Sequence, residues 1–258
     1  MSDPATLRLK VHRRTMSLDG RYHTVLSPRP GLEYRFATNR FHETWHVLSD
    51  RDGVRLLGRL CWALAYQRRQ GTLALIDPSL LVPNPFDADP SSPIAILNND
   101  VGSLRRSATD DLRAELPFRD APAGTVTLNT RGLDEALRDV RAYRASEEKA
   151  GHSWNEHQQR RWIDKVNGIV VIAAPPPVLR GWGVALSLLA TPGFGGNEGD
   201  AEILDRPGGN GEVQLIDDFA DRVSRALRAR ERLFPGREHQ DLDEDERCRV
   251  WSETGRSN

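Results

Sequence analysis

The amino-acid sequence predicts an α/β fold in which an N-terminal antiparallel β-meander joins a mostly parallel sheet flanked by helices. The first fifty residues are rich in β-branched and aromatic side chains, and turn signals such as Asp19-Gly20 divide them into short segments. After residue 71, short apolar runs alternate with stretches whose apolar residues recur every three or four positions. Because short apolar runs are typical of strands buried on both faces, this alternation indicates an α/β sheet.

The first predicted elements are four strands followed by a long helix. The strand sequences are TLRLKVHRR, RYHTVLS, LEYRFAT and FHETWHVLS, and the last two are typical of a hairpin that turns at Asn39-Arg40. The helix is predicted because five apolar residues between Val54 and Leu64 fall on one face. Asp50 or Asp52 can cap its start.

The later elements follow in alternation. Predicted strands occupy 72–76, 94–97, 125–128, 169–174 and 212–216, with helical patterns at 133–143, 178–190 and 219–227. Residues 77–93 hold five prolines together with apolar residues that need to pack, which predicts an ordered loop.

The chain is predicted to have three parts. An N-terminal β portion covers 1–52 and an α/β domain covers 53–235. A polar segment with an acidic run covers 236–258, and we expect it to be a disordered tail.

Composition and charge narrow the functional classes. The chain has 258 residues, 38% of them hydrophobic and 28% charged, which is a globular composition. A formal net charge of −1 gives no general attraction to nucleic acid or to an anionic membrane. No apolar run is long enough to span a bilayer. Cys61 lies in a helical run and Cys248 in a polar segment, so they are poor disulfide partners, which predicts a cytoplasmic protein.

A zinc-binding pattern occurs at His42-Glu43-Thr44-Trp45-His46, which has the H-E-x-x-H spacing of zinc metalloproteases. On a helix, His42 and His46 lie one turn apart and can bind one zinc ion, with Glu43 as the general base. On a strand, the two Cα atoms lie about 13 Å apart, too far to share a metal.

The sequence leaves both conformations open for 41–48. Phe41, Thr44, Trp45 and Leu48 follow helical spacing. The aromatic and β-branched composition and the short length before the next helix favour a strand. The helical alternative would make the protein a zinc-dependent hydrolase.

Polar residues follow several predicted strands. If those strands are parallel neighbours, their carboxyl ends meet at one edge of the sheet, where ligands of open α/β sheets bind. Such an edge could hold magnesium with a phosphate ester, or a ribose. The alternative is that these residues are turn formers and helix caps. The candidate ligand-binding residues are Asp77, Asn98, Asp100, Asn129 and Asp217.

These observations favour a non-catalytic cytoplasmic protein that binds a small ligand or a partner, which could be another protein or a second copy of the chain. An enzyme or nucleotide sensor with a polar or magnesium-dependent site at the strand ends is the first alternative. The zinc-dependent hydrolase is the second. Zinc and magnesium are the cofactors that these alternatives imply, and nucleic acid is not indicated.

Overall fold

The computed structural model describes residues 8–29, 33–41, 43–152, 160–193, 201–203, 211–237 and 242–254. These residues form eleven strands and seven helices, which confirms the α/β class. The strands are β1 (Arg8–Leu18), β2 (Arg21–Pro28), β3 (Phe36–Phe41), β4 (Thr44–Ser49), β5 (Thr72–Ile76), β6 (Ile94–Asn98), β7 (Gly124–Asn129), β8 (Trp162–Val166), β9 (Ile169–Ala174), β10 (Ala201–Ile203) and β11 (Gly211–Leu215). The helices are α1 (Arg51–Ala65), α2 (Arg106–Ala114), α3 (Leu133–Arg138), α4 (Val140–Lys149), α5 (Pro176–Leu189), α6 (Phe219–Leu233) and α7 (Glu244–Thr254).

The larger sheet has seven strands in the order β7-β1-β2-β5-β6-β9-β8. Two neighbouring pairs, β2-β5 and β6-β9, are parallel, and the other four are antiparallel. The sheet is therefore mixed, with fewer parallel pairs than the sequence suggested. One cause is local: β8 and β9 form a hairpin whose turn residues, Asn167 and Gly168, have φ angles of 48° and 83°. Asn-Gly favours such turns because both positions need positive φ.

The smaller sheet has the order β10-β11-β4-β3, with β3-β4 antiparallel and β4-β11 parallel. The four N-terminal strands thus form two hairpins that enter different sheets. In this way the β portion predicted for 1–52 is continuous with the α/β part of the chain.

Helices α1 and α5 pack together closely between the two sheets. A Cβ atom added at Gly58 would lie 3.0 Å from the carbonyl oxygen of Gly183, and one at Gly183 would lie 3.1 Å from that of Gly58. The two glycines therefore let the helix backbones approach each other. Buried residues of these helices form one apolar cluster with both sheets, including Ile76 and Ile172 of the larger and Val47 of the smaller. None of the described helices combines the length and apolarity that a bilayer crossing requires.

Part of the predicted disordered tail is helical, so that prediction is wrong for α7. Val250 is fully buried in an apolar cluster with Ala229, Phe234 and Leu242, which attaches α7 to the end of α6. The start of α7 is a capping box. Asp243 Oδ1 accepts from the backbone N–H of Glu246 at 2.9 Å, and the backbone N–H of Asp243 donates to Glu246 Oε2 at 3.1 Å.

Candidate binding pocket beside helix α7

The H-E-x-x-H stretch lies at the end of the β3-β4 hairpin, so the helical alternative is wrong and the strand alternative is confirmed. Phe41 pairs with Thr44, and Asn39 pairs with His46. The hairpin loop between Phe41 and Thr44 lies three residues later than the Asn39-Arg40 turn that the sequence suggested. Glu43 occupies it with a φ of 65° and pairs with Arg40, while His42 lies outside the described residues.

The helical turn that would carry His46 as a zinc ligand is therefore not formed, since His46 lies in strand β4. His46 instead joins two strands: its Nδ1 lies 3.1 Å from Oε1 of Glu212 on β11. Within the described ranges, no group of three or more His, Cys, Asp or Glu side chains could hold a metal ion.

The structure does not bring the predicted strand-end residues together. Because β5 and β6 are antiparallel, Asp77 and Asn98 follow strand ends on opposite sides of the larger sheet. Asn129 lies on the same side as Asp77, but three strands away, and Asp100 follows Asn98. Asp217 follows β11 of the smaller sheet. The prediction that these residues converge on a magnesium or ribose site is wrong, because it required the neighbouring strands to be parallel.

Each of these residues instead has a structural partner. Asp77, Asn98 and Asn129 accept backbone N–H bonds at 2.8–3.0 Å from residues two positions later, which is the turn role of the alternative interpretation. Asp100 and Asp217 form ion pairs with distant arginines: Asp100 lies 2.5 Å from Nη2 of Arg160, and Asp217 lies 2.7 Å from Nη2 of Arg51.

A pocket of about 540 Å³ lies between the smaller sheet, the proline-rich loop and α7. We call it the α7 pocket. Its walls come from β3, β4, β8, β11, the loop and α7. The lining residues are Thr38, Asn39, Arg40, Phe41, Trp45, His46, Asn84, Phe86, Asp87, Asp89, Pro90, Ser92, Lys165, Gln214, Glu244, Arg247, Cys248 and Trp251.

One side of the α7 pocket is aromatic. The ring of Trp251 lies 5.3 Å from the ring of Phe41, nearly perpendicular to it, and 5.6 Å from the ring of Phe86. Phe41 and Trp251 remain 39% and 41% exposed, although both are large and apolar. We call Phe41, Phe86 and Trp251 the ring side. Such exposed, touching rings are typical of surfaces that bind a ligand or partner.

The other side of the pocket is cationic. Lys165 Nζ lies 5.4 Å from the ring centroid of Trp45, and the Arg40 guanidinium lies 5.9 Å from it. We call Arg40, Trp45 and Lys165 the lysine side. Lys165 forms no ion pair with any residue in the described part of the chain, unlike Arg40. Partial burial, together with the charge of Arg113, lowers the pKa of Lys165 from its ordinary value.

Strand register places the two sides on opposite faces of β3. Arg40 is the cross-strand partner of Trp45, so their side chains share one face of the sheet. Phe41, the next residue, points to the opposite face, where it approaches His46 with ring centroids 6.4 Å apart. The pocket therefore extends around the outer edge of β3.

The proline-rich loop is ordered, as predicted, and a buried arginine holds it. Arg230 of α6, which is 6% exposed, donates to Asp89 Oδ1 at 2.9 Å and to the carbonyl of Asp87 at 3.2 Å. Arg247 of α7 adds an ion pair to Asp89, with 3.1 Å between Nε and Oδ2. Burial raises the pKa of Asp87 from 3.8 to about 6, although the Asp89 N–H bonded to it opposes the shift.

Sequence reasoning missed most of this pocket. It considered Phe41, Trp45 and His46 only as parts of a zinc motif, and did not select Phe86, Lys165 or Trp251. One usable signal was the Asp243–Glu246 spacing of the capping box, which indicates a helix start in the supposed tail.

Comparisons with protein families, with characterised proteins and with solved structures gave no significant match. The function of the α7 pocket is therefore argued from its own geometry.

Proposed function

We propose that the protein is a non-catalytic binding protein whose α7 pocket holds a ligand with an apolar or aromatic group and a negatively charged group. One observation carries the proposal: exposed aromatic rings line the same cavity as Lys165, which has no ion pair among the described residues. A volume of about 540 Å³ lies within the range of ligand-binding pockets.

Each side of the pocket favours one part of such a ligand. Aromatic pairs contribute about 0.5–1.5 kcal/mol beyond the burial of their area, so the ring side favours a planar apolar group. Lys165 contacts the Trp45 ring but forms no ion pair within the described residues, so an anionic group of the ligand would supply one.

Binding is favoured over catalysis because several titratable groups of the pocket already have structural partners. Asp89 is paired with Arg230 and Arg247, and His46 with Glu212. Groups that hold a loop and a sheet together are poorly placed to exchange protons with a substrate. We also propose a cytoplasmic location, because Cys61 and Cys248 are both free thiols.

The test is a tryptophan fluorescence titration with two probes of opposite charge, 3-phenylpropionate and 3-phenylpropylamine. We expect the carboxylate to give a saturable change and the amine a weaker one, because only the carboxylate pairs with Lys165. The Lys165→Gln variant should lose this preference.

Lys149→Gln is the matched control, because Lys149 ends α4 and does not line the pocket. The Trp251→Ala variant should bind both probes more weakly. The proposal fails if the wild-type protein shows no saturable response below about 10 mM of either probe, or if the response is unchanged in Lys165→Gln and Trp251→Ala.

A further inference from the structure

We infer that the ligand of the α7 pocket is an extended peptide segment of a partner protein, which adds to the outer edge of β3 as a further strand. This inference rests on the proposed function. It commits the pocket to a peptide with an acidic side chain for the lysine side and adjacent apolar or aromatic side chains for the ring side.

The outer edge of β3 is partly open. β3 is the outermost strand of the smaller sheet as described, and apart from its pairing with β4 it forms one isolated bridge, between Phe36 and Leu81. The carbonyl of Phe36 accepts from Val82 N–H at 2.9 Å, and the N–H of Thr38 donates to Ser91 Oγ at 3.0 Å. The loop thus covers the backbone groups that Phe36 and Thr38 direct away from β4.

Arg40 is the next residue of β3, after Phe36 and Thr38, whose backbone groups point away from β4, and the loop does not reach it. Every second residue of an antiparallel strand directs both its N–H and its C=O away from its partner, so those of Arg40 point outward as well. No residue of the described ranges forms a hydrogen bond with these two groups. They form a ready template for one residue of an added strand.

The pocket is arranged around this edge. Successive side chains of a strand point to opposite faces. A strand added beside Arg40 would therefore direct one side chain to the lysine side and its neighbours to the ring side. Such a strand would contact both sides through separate side chains, whereas a small ligand has to reach past the edge of β3 to contact both.

Charge selects the side chains of the peptide. The peptide residue opposite Arg40 shares its face, where Lys165 has no ion pair among the described residues, and this favours glutamate or aspartate. The loop and α7, which carry Phe86 and Trp251, also contribute Asp87, Asp89 and Glu244 to the pocket, and Arg247 of α7 is paired with Asp89, which disfavours acidic peptide residues there. The expected recognition sequence is an acidic residue flanked by aromatic or large aliphatic residues.

The test uses the blocked peptide acetyl-Ser-Phe-Glu-Phe-Ser-amide, titrated into the full chain by calorimetry. We prepare two N-methylated forms, one at the glutamate and one at the phenylalanine after it. In a strand pairing, only one of these two N–H groups faces β3. The glutamate N–H faces it in an antiparallel strand, and the following N–H in a parallel strand.

We expect one methylated peptide to bind about fivefold to tenfold more weakly than the other, which corresponds to one lost hydrogen bond. A peptide with lysine in place of glutamate should also bind more weakly, and Lys165→Gln should remove that difference while Lys149→Gln preserves it. Equal affinities of the two methylated peptides would overturn the inference.

The same peptide set separates this inference from the proposed function. If 3-phenylpropionate binds but the two methylated peptides have equal affinities, the proposed small-ligand function is retained and the strand pairing is rejected. Failure of both the probes and the peptides would reject the pocket as a binding site.

Discussion

The α1–α5 pair and the α7 pocket are stabilised by different forces. In the helix pair, apolar side chains are buried without charges and the backbones meet at Gly58 and Gly183. In the pocket, a few charged groups centred on Arg230 hold a loop and a terminal helix around rings that stay exposed. The α1–α5 pair therefore contributes buried apolar contacts to the fold, whereas the α7 pocket presents exposed rings that depend on a few ion pairs.

The largest expected effect lies in the helix pair. A Cβ at Gly183 would lie 3.0 Å from Trp62 Cβ and 3.1 Å from the backbone at Gly58 and Trp62, so Gly183→Val must separate α5 from α1. We expect a loss of about 3 kcal/mol in the free energy of unfolding, measured by urea denaturation. Gly124→Val is the control, because no atom lies within 4 Å of its added Cβ. Similar losses in both variants would contradict the close packing.

An intermediate effect is expected where charge holds the pocket. Arg230→Met removes the ion pair between Arg230 and Asp89, keeps the one between Arg247 and Asp89, and removes the hydrogen bond to the Asp87 carbonyl. Removing one partner of a buried ion pair is costly, so we expect a loss of about 2–3 kcal/mol together with weaker binding of 3-phenylpropionate. Arg232→Met is the control, two residues further along α6. It removes only the more exposed ion pair with Glu253 and should cost less than about 0.5 kcal/mol in the free energy of unfolding. If Arg230→Met retains full binding, the loop does not depend on this arginine.

The smallest effect should appear only as a dependence on pH. Burial raises the pKa of Asp87 to about 6 in the folded protein, above its ordinary value of 3.8. A raised carboxyl pKa means that its contribution to stability is present below about pH 4 and is lost as the pH rises through about 6. Asp87→Asn removes this loss, so we expect it to be about 1–2 kcal/mol more stable than the wild type at pH 7.5 and equal to it near pH 4.

Thermal and urea unfolding across this pH range would check the effect of Asp87→Asn. Asp245→Asn, in the first turn of α7, is the control. A difference that stays constant from pH 4 to pH 7.5 would show that Asp87 is not the titrating group.

Elements of the α1–α5 pair could be predicted from the sequence, whereas the α7 pocket could not. α1 was predicted because its apolar residues repeat with helical spacing. Of the two predicted caps, Asp50 and Asp52, the structure uses Asp50, whose Oδ1 accepts from Gly53 N–H at 2.8 Å. Periodicity is a local property, so such elements can be recognised without knowing what surrounds them.

The pocket could not be predicted in this way, because it depends on pairings between distant parts of the chain. The antiparallel β5-β6 pair, which separates Asp77 from Asn98, is a property of sheet order and leaves no local pattern. The His42–His46 spacing was ambiguous for the opposite reason, since one short pattern fits both a helix and a hairpin. Only the β3-β4 pairing decides between them.

The contact between Trp251 and Phe41 has a consequence for biosynthesis. About 210 residues separate the two rings along the chain, and a ribosome makes proteins from the N-terminus onward. The hairpin that carries Phe41 emerges before α7, which is complete only when translation has passed residue 254. A nascent or truncated chain that stops before α7 would lack Trp251 and the wall that α7 supplies, so the proposed binding pocket forms only in chains that have been made at least this far.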